Sequence, residues 1–103
     1  MNLLKRIFAT RNEIDFKQLQ RNGAVILDVR SADEFKSGHI SGAINLPLQN
    51  LSHDPAKIKE LKKPVITCCL SGGRSNIAAK MLMKAGVEAY NGGGWTSLRT
   101  KLR

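Results

Sequence analysis

Two apolar runs dominate the chain. Ala24 to Val29 is almost unbroken, with Asp28 as its one carboxylate, and Val65 to Cys68 repeats the pattern after Pro64. Runs this short and this apolar predict parallel strands buried on both faces. Ala43 to Leu46, closed by Pro47, and Glu88 to Tyr90 read as shorter strands. Helical signals alternate with them. Asp15 or a neighbour opens a helix through Phe16, Leu19 and Gln20 that stops at Asn22-Gly23. Ser31 caps a short helix from Ala32 to Ser37, ended by Gly38, and Ala56 to Leu61 is another before Pro64. Ser75 is positioned to cap a helix with a clear 3.6-residue period that stops at Gly86, and a terminal helix begins at Trp95. The alternation predicts an α/β domain, a mostly parallel central sheet flanked by helices. No repeat, linker or low-complexity stretch interrupts it.

Length and composition fit one domain over residues 1–103, with 1–13 as an N-terminal arm. The chain has 103 residues, 42% of them hydrophobic, enough for one small core. Its two cysteines are adjacent, a spacing that rarely forms an unstrained disulfide. There is no Cys-x-x-Cys pair and no His/Cys ligand spacing, so no metal is expected. A free thiol suits a reduced, cytoplasmic setting. No segment has the length of a membrane span. In the arm, Leu3, Leu4, Ile7 and Phe8 share one helical face, but Lys5-Arg6 breaks the apolar stretch expected of a secretory leader. Packing on the domain is the expectation, weak attachment to a membrane surface the alternative.

The net charge of +9 raises nucleic-acid binding. The basic residues are scattered, however, from Lys5 and Arg6 through Lys36, Lys57, Lys62 and Lys80 to Arg103, and aromatics are only 5%. A broad positive field that draws small anions or an acidic protein partner is the better reading, with no nucleic acid.

The chemistry concentrates at Cys69-Leu70-Ser71-Gly72-Gly73-Arg74-Ser75. A cysteine at a strand's carboxyl end is followed by a small loop and a helix N-terminus. Amides in such a loop bind anions, and the helix dipole adds positive potential. A thiol there ionises more readily, and the thiolate is the nucleophile. Gly72 and Gly73 let the backbone curl, and Arg74 offers a planar charged fork. The bland alternative is a strand-to-helix turn with an inert thiol. Cys69 is the nucleophile because it opens the loop. Cys68 lies inside the apolar run, and its side chain faces the other way. Asp28 is expected to accept hydrogen bonds that fix neighbouring loops, and Arg30 to pair with Glu34 four residues on. His39 is read as a structural donor, and Trp95 as a packing residue.

Three stretches together resemble the rhodanese-like sulfurtransferases. They are the Cys69–Ser75 loop, the segment from Val25-Ile26-Leu27-Asp28-Val29-Arg30 to Gly38-His39-Ile40-Ser41-Gly42-Ala43-Ile44-Asn45-Leu46-Pro47, and Tyr90-Asn91-Gly92-Gly93-Gly94-Trp95. The resemblance covers residues 14–98. It implies a rhodanese-like fold and sulfur transfer through a persulfide on Cys69, with no cofactor and no metal. The substrate-binding loop would be Leu70, Ser71, Gly72, Gly73, Arg74 and Ser75, with Asp28 and Arg30 supporting. Arg74 would hold either the loop or the incoming anion. The implied partners are a small anionic donor such as thiosulfate and a thiol, protein or cyanide acceptor. Nothing in the pattern points to one oligomeric state. Two positions depart from the family pattern. Leu70 stands where thiosulfate users often carry a basic or polar residue, and Leu98 where a second tryptophan often stands. A phosphatase or arsenate reductase of the same architecture would have one more residue between cysteine and arginine. A non-enzymatic sulfur carrier or partner-binding module is the alternative of a different class.

Overall fold

The computed structural model describes residues 14–103 of the protein. The expectation for the N-terminal arm lies outside the described residues. The elements run α1 (Phe16–Arg21), β1 (Val25–Asp28), α2 (Ala32–Ser37), β2 (Ile44–Asn45), α3 (Leu48–His53), α4 (Ala56–Lys59), β3 (Val65–Cys69), α5 (Gly73–Lys84), β4 (Ala89–Gly94) and α6 (Trp95–Leu102). Among the described residues, four strands form one sheet in the order β2-β1-β3-β4, with every pair parallel. The α/β class expected from the alternation is the observed one.

The central strands read as apolar runs because both faces are covered. On one face Leu27, Val65 and Cys69 pack with Leu51, Ile58, Ala78 and Leu82 from α3, α4 and α5. On the other, Ile26, Ile66 and Cys68 pack with Phe16 of α1 and Leu98 of α6. The period-two alternation of β3 thus sends the two cysteine side chains into different layers. Leu98 is fully buried in its layer, so the leucine at the variant position is a packing residue.

Local signals account for the helix starts. The Asp15 carboxylate accepts from the Gln18 amide at 3.0 Å. Ser31 and Glu34 form a reciprocal capping box, with Ser31 Oγ accepting from the Glu34 amide at 3.2 Å and Glu34 Oε1 from the Ser31 amide at 3.1 Å.

Apart from one-residue shifts at strand ends, the structure departs from the expectations in four places. Helix α3 follows Pro47 directly, where no helix was expected. α4 ends at Lys59 rather than Leu61. β4 runs four residues further than Tyr90, through Asn91 and three glycines to Gly94. Finally, α5 begins at Gly73, so Ser75 is its third residue and not its cap.

Candidate active site

Cys69 ends β3, and the chain leaves the sheet there to enter α5. This is the carboxyl edge of a parallel sheet, where ligands meet loops. Gly72 makes the turn possible. It sits at φ 106°, in the left-handed region, as the residue before the helix. Gly73, by contrast, takes an ordinary helical start with open space around its Cα, so only one of the two glycines bends the loop. The neighbouring strand crowds this corner. Cys69 pairs with Gly94, and a side chain at Gly94 would meet the Leu70 carbonyl oxygen at 2.8 Å.

The turn aims backbone donors at the sulfur. Cys69 Sγ accepts from the Gly72 amide at 3.1 Å and from the Ser75 amide at 3.4 Å. The cap residue of α5, Gly72, has no side chain to cap it. The Cys69 sulfur fills that role, satisfying a first-turn N–H group that the helix leaves without a partner. Cys69 is 1% exposed. Burial pushes its pKa up, but hydrogen bonds from the Ser75 hydroxyl and from the Ser75, Gly72 and Ser71 amides outweigh it. The net effect places the thiol below its ordinary value. Cys68 has no such donors. Burial first, then the nearby Asp28 charge, pushes its thiol up to about 12.

Arg74 does not project freely over the loop. Its guanidinium clasps Glu34 bidentately, with Nη1 to Oε1 at 2.7 Å and Nη2 to Oε2 at 3.0 Å. Because Glu34 also closes the capping box of α2, the pair ties the start of α2 to the start of α5. The Arg74 hydrogen bonds and the Ser31 amide hold the Glu34 carboxyl at about 2. The expected Arg30–Glu34 ion pair is therefore not formed. Arg30 pairs with Asp28, Nη2 to Oδ2 at 2.7 Å, and reaches only the backbone oxygens of Glu34 and Gly38. Asp28 also accepts the Arg30 amide at 3.1 Å. Arg30 is nearly buried and stacks on Trp95, its guanidinium carbon 4.8 Å from the ring centroid. His39 Nδ1 lies 2.7 Å from the Phe35 carbonyl oxygen, and its ring stacks on Phe35.

Leu70 stands at the loop crest, 63% exposed, with Ser71 beside it. An open groove of about 490 Å³ runs next to the loop, lined among others by Val29, Pro47, Leu48, Arg74, Ile77 and Met81. Two contacts of this neighbourhood were not expected from the sequence. Glu34, expected to pair with Arg30, is the partner of Arg74. Asn91, with no expected role, contacts the Ser75 hydroxyl at 2.7 Å. Ser-x-x-Glu spacing signals the cap but not the arginine, and nothing local in Tyr90-Asn91-Gly92 signals a contact across the sheet.

Comparison with known proteins follows the same geometry. Residues 13–100 match the rhodanese-like domain family. Over 88 residues the chain is 41% identical to the uncharacterized protein YqhL of Bacillus subtilis, covering 84% of this chain and 68% of that one. Over 76 residues it is 38% identical to the thiosulfate sulfurtransferase GlpE of Ectopseudomonas mendocina, covering 73% and 69%. A solved rhodanese with anions from E. coli superposes with a TM-score of 0.66 at 28% identity, over 73% of this chain and 91% of that one. With a buried sulfur under loop amides at the carboxyl edge of a parallel sheet, and with nearly the whole chain matched, this protein belongs to the rhodanese-like domain family.

Proposed function

We propose that the protein is a sulfurtransferase of one domain, acting in the cytoplasm, with Cys69 as its nucleophile. The Cys69 thiolate attacks the outer sulfur of an anionic donor such as thiosulfate. A new S–S bond forms on Cys69, the donor's S–S bond breaks, and sulfite leaves with the electron pair. An acceptor thiolate, or cyanide, then attacks the outer sulfur. The Cys69–sulfur bond breaks, and Cys69 leaves as the thiolate, ready for the next cycle. Charge balances in each step, and no redox partner is required.

The observation that carries this reading is the pair of amides aimed at a buried sulfur, from Gly72 and Ser75. They stabilise a negative charge on Cys69 as nucleophile and again as leaving group. The Ser71, Gly72 and Ser75 amides face the sulfur and would also face the outer sulfur of a persulfide on it. A sulfur this well covered suits a small donor whose outer sulfur projects from the molecule. Four residues separate Cys69 from Arg74, a span that fits one sulfur atom better than a tetrahedral phosphoryl group. Arg74, held by Glu34, shapes the loop and contributes positive potential at its rim. Asp28 and Arg30 brace the loop after β1 against Gly38 and Trp95.

The test is steady-state assay of the purified protein. Thiocyanate should form from thiosulfate and cyanide, while hydrolysis of a phosphate monoester stays at background. Phosphatase activity without thiocyanate formation would overturn the proposal.

A further inference from the structure

The Ser75 hydroxyl has one proton and three neighbours that compete for it. Ser75 Oγ lies 2.7 Å from Asn91 Oδ1, 3.1 Å from the Gly72 carbonyl oxygen and 3.4 Å from Cys69 Sγ. The Asn91 amide orientation is set by its other contact. Its Oδ1 accepts from the Gly93 amide at 2.9 Å, so the atom facing Ser75 is an oxygen and has no proton to give. In the thiol form Ser75 therefore donates to Asn91 and turns a lone pair toward the Cys69 S–H. When Cys69 loses its proton, the sulfur becomes the strongest acceptor in reach, and a rotation of one hydroxyl supplies a donor. Thr67 Oγ1 holds the Ser75 carbonyl oxygen at 2.7 Å, so the serine backbone does not have to move.

We propose that Asn91 is a positioning residue for Cys69: it holds the Ser75 hydroxyl away from the thiol and releases it to the thiolate. The inference rests on Cys69 being the nucleophile. Cys69 is a thiolate twice in each cycle, first attacking and then leaving. In the persulfide between them, the inner sulfur has neither proton nor full charge, and the hydroxyl returns to Asn91. Asn91 thereby acts on the sulfur through the Ser75 hydroxyl, without itself hydrogen-bonding to it.

Other charged groups around Cys69 are Arg74 with Glu34, the Asp28–Arg30 pair on β1 and the Cys68 thiol beside it. Glu34 titrates at about 2 and Cys68 at about 12, and the two arginines are held charged by their carboxylate partners. From Asn91 to Gly94 the strand β4 adds no charged side chain.

The experiment is the rate of iodoacetamide alkylation of Cys69 against pH, for the unmodified protein, Asn91→Asp and Asn91→Ala, each with Ser75 and with Ser75→Ala. Asn91→Asp keeps an acceptor for the Gly93 amide and grips the hydroxyl harder. Its midpoint should rise by about one pH unit, about a tenfold loss of rate below the midpoint. In Ser75→Ala that rise should fall to less than half, leaving only repulsion through space. Asn91→Ala frees the hydroxyl and should lower the midpoint, an effect absent in Ser75→Ala. If Asn91→Ala does not fold, the Asn91→Asp comparison decides alone. Equal shifts with and without the Ser75 hydroxyl, or no shift at all, would overturn the proposal. Alkylation needs no sulfur donor, so failure of sulfur transfer and failure of this inference are read separately.

Discussion

Cys68 and Cys69 are adjacent, yet their thiols have opposite chemistry. One faces the apolar layer under α1 and α6, the other the amides of Gly72 and Ser75. Held at about 12, Cys68 is a neutral thiol throughout the neutral range, while Cys69 is shifted toward the thiolate. Brief iodoacetamide treatment of the folded protein near neutral pH should give one adduct, mapped to the Cys69 peptide, and none in Cys69→Ala. Label on Cys68 in the native protein would contradict this. The two loop glycines differ in the same way. A side chain at Gly72 would be strained in the left-handed conformation found there, by about 1–2 kcal/mol, and relief of that strain would turn its amide off the sulfur. Gly72→Ala should lower the melting temperature and slow alkylation of Cys69. Gly73→Ala meets no atom within 4 Å and begins a helix, so it should change stability by less than about 1 kcal/mol.

Helices α2 and α5 are joined at their starts by one carboxylate. Glu34 closes the capping box of α2 and holds Arg74 of α5. Its pKa is depressed in the fold, so its contribution to stability is present above the ordinary carboxylate range and is lost as pH falls toward about 2. Thermal melts of the protein and of Glu34→Gln should differ at pH 6 and converge near pH 2. A constant gap across that range would mean the charge is not what Glu34 contributes. These two helices also show where the sequence was readable. Ser31 and Glu34 announce a cap by spacing alone, and β1 and β3 announce themselves because both of their faces are buried. The partner of Arg74 lies forty residues away, and no periodicity records it. Arg30 stands two residues from Asp28, at the end of a strand, and the fork closes there rather than one helical turn on. Helix α3 carries only Leu48 and Leu51 on its inner side, too short a stripe to register a period. Ser75 looked like a cap because serines usually are, whereas this helix takes its cap from the sulfur of β3. The glycines of β4 hid the second half of an expected strand, since they offer backbone pairing and close approach but no side-chain pattern.

The chain carries a net charge of +9, and some of the basic residues among those described lie far from Cys69. Lys59, Lys62 and Lys63 line a hollow of about 360 Å³ near Pro64, at the opposite end of β3 from Cys69. No helix among the described residues is long and apolar enough to cross a membrane. On the proposed function, a broad positive charge favours encounter with anions of any kind, so preference among donors falls to the loop itself. There Leu70 offers no charge. Leu70→Arg should place a cation beside the incoming donor, worth about 1 kcal/mol or several-fold in the apparent affinity for thiosulfate. The gain should shrink with added salt because the position is exposed. An unchanged KM at low salt would remove Leu70 from donor binding. Sulfur transfer through Cys69 itself is tested by the intact mass of the protein after thiosulfate treatment without reductant. The unmodified chain and Cys68→Ala should each gain one sulfur atom, lost again on adding cyanide, and Cys69→Ala should gain none. A mass gain that survives in Cys69→Ala, or no gain in the unmodified chain, would contradict a persulfide on Cys69.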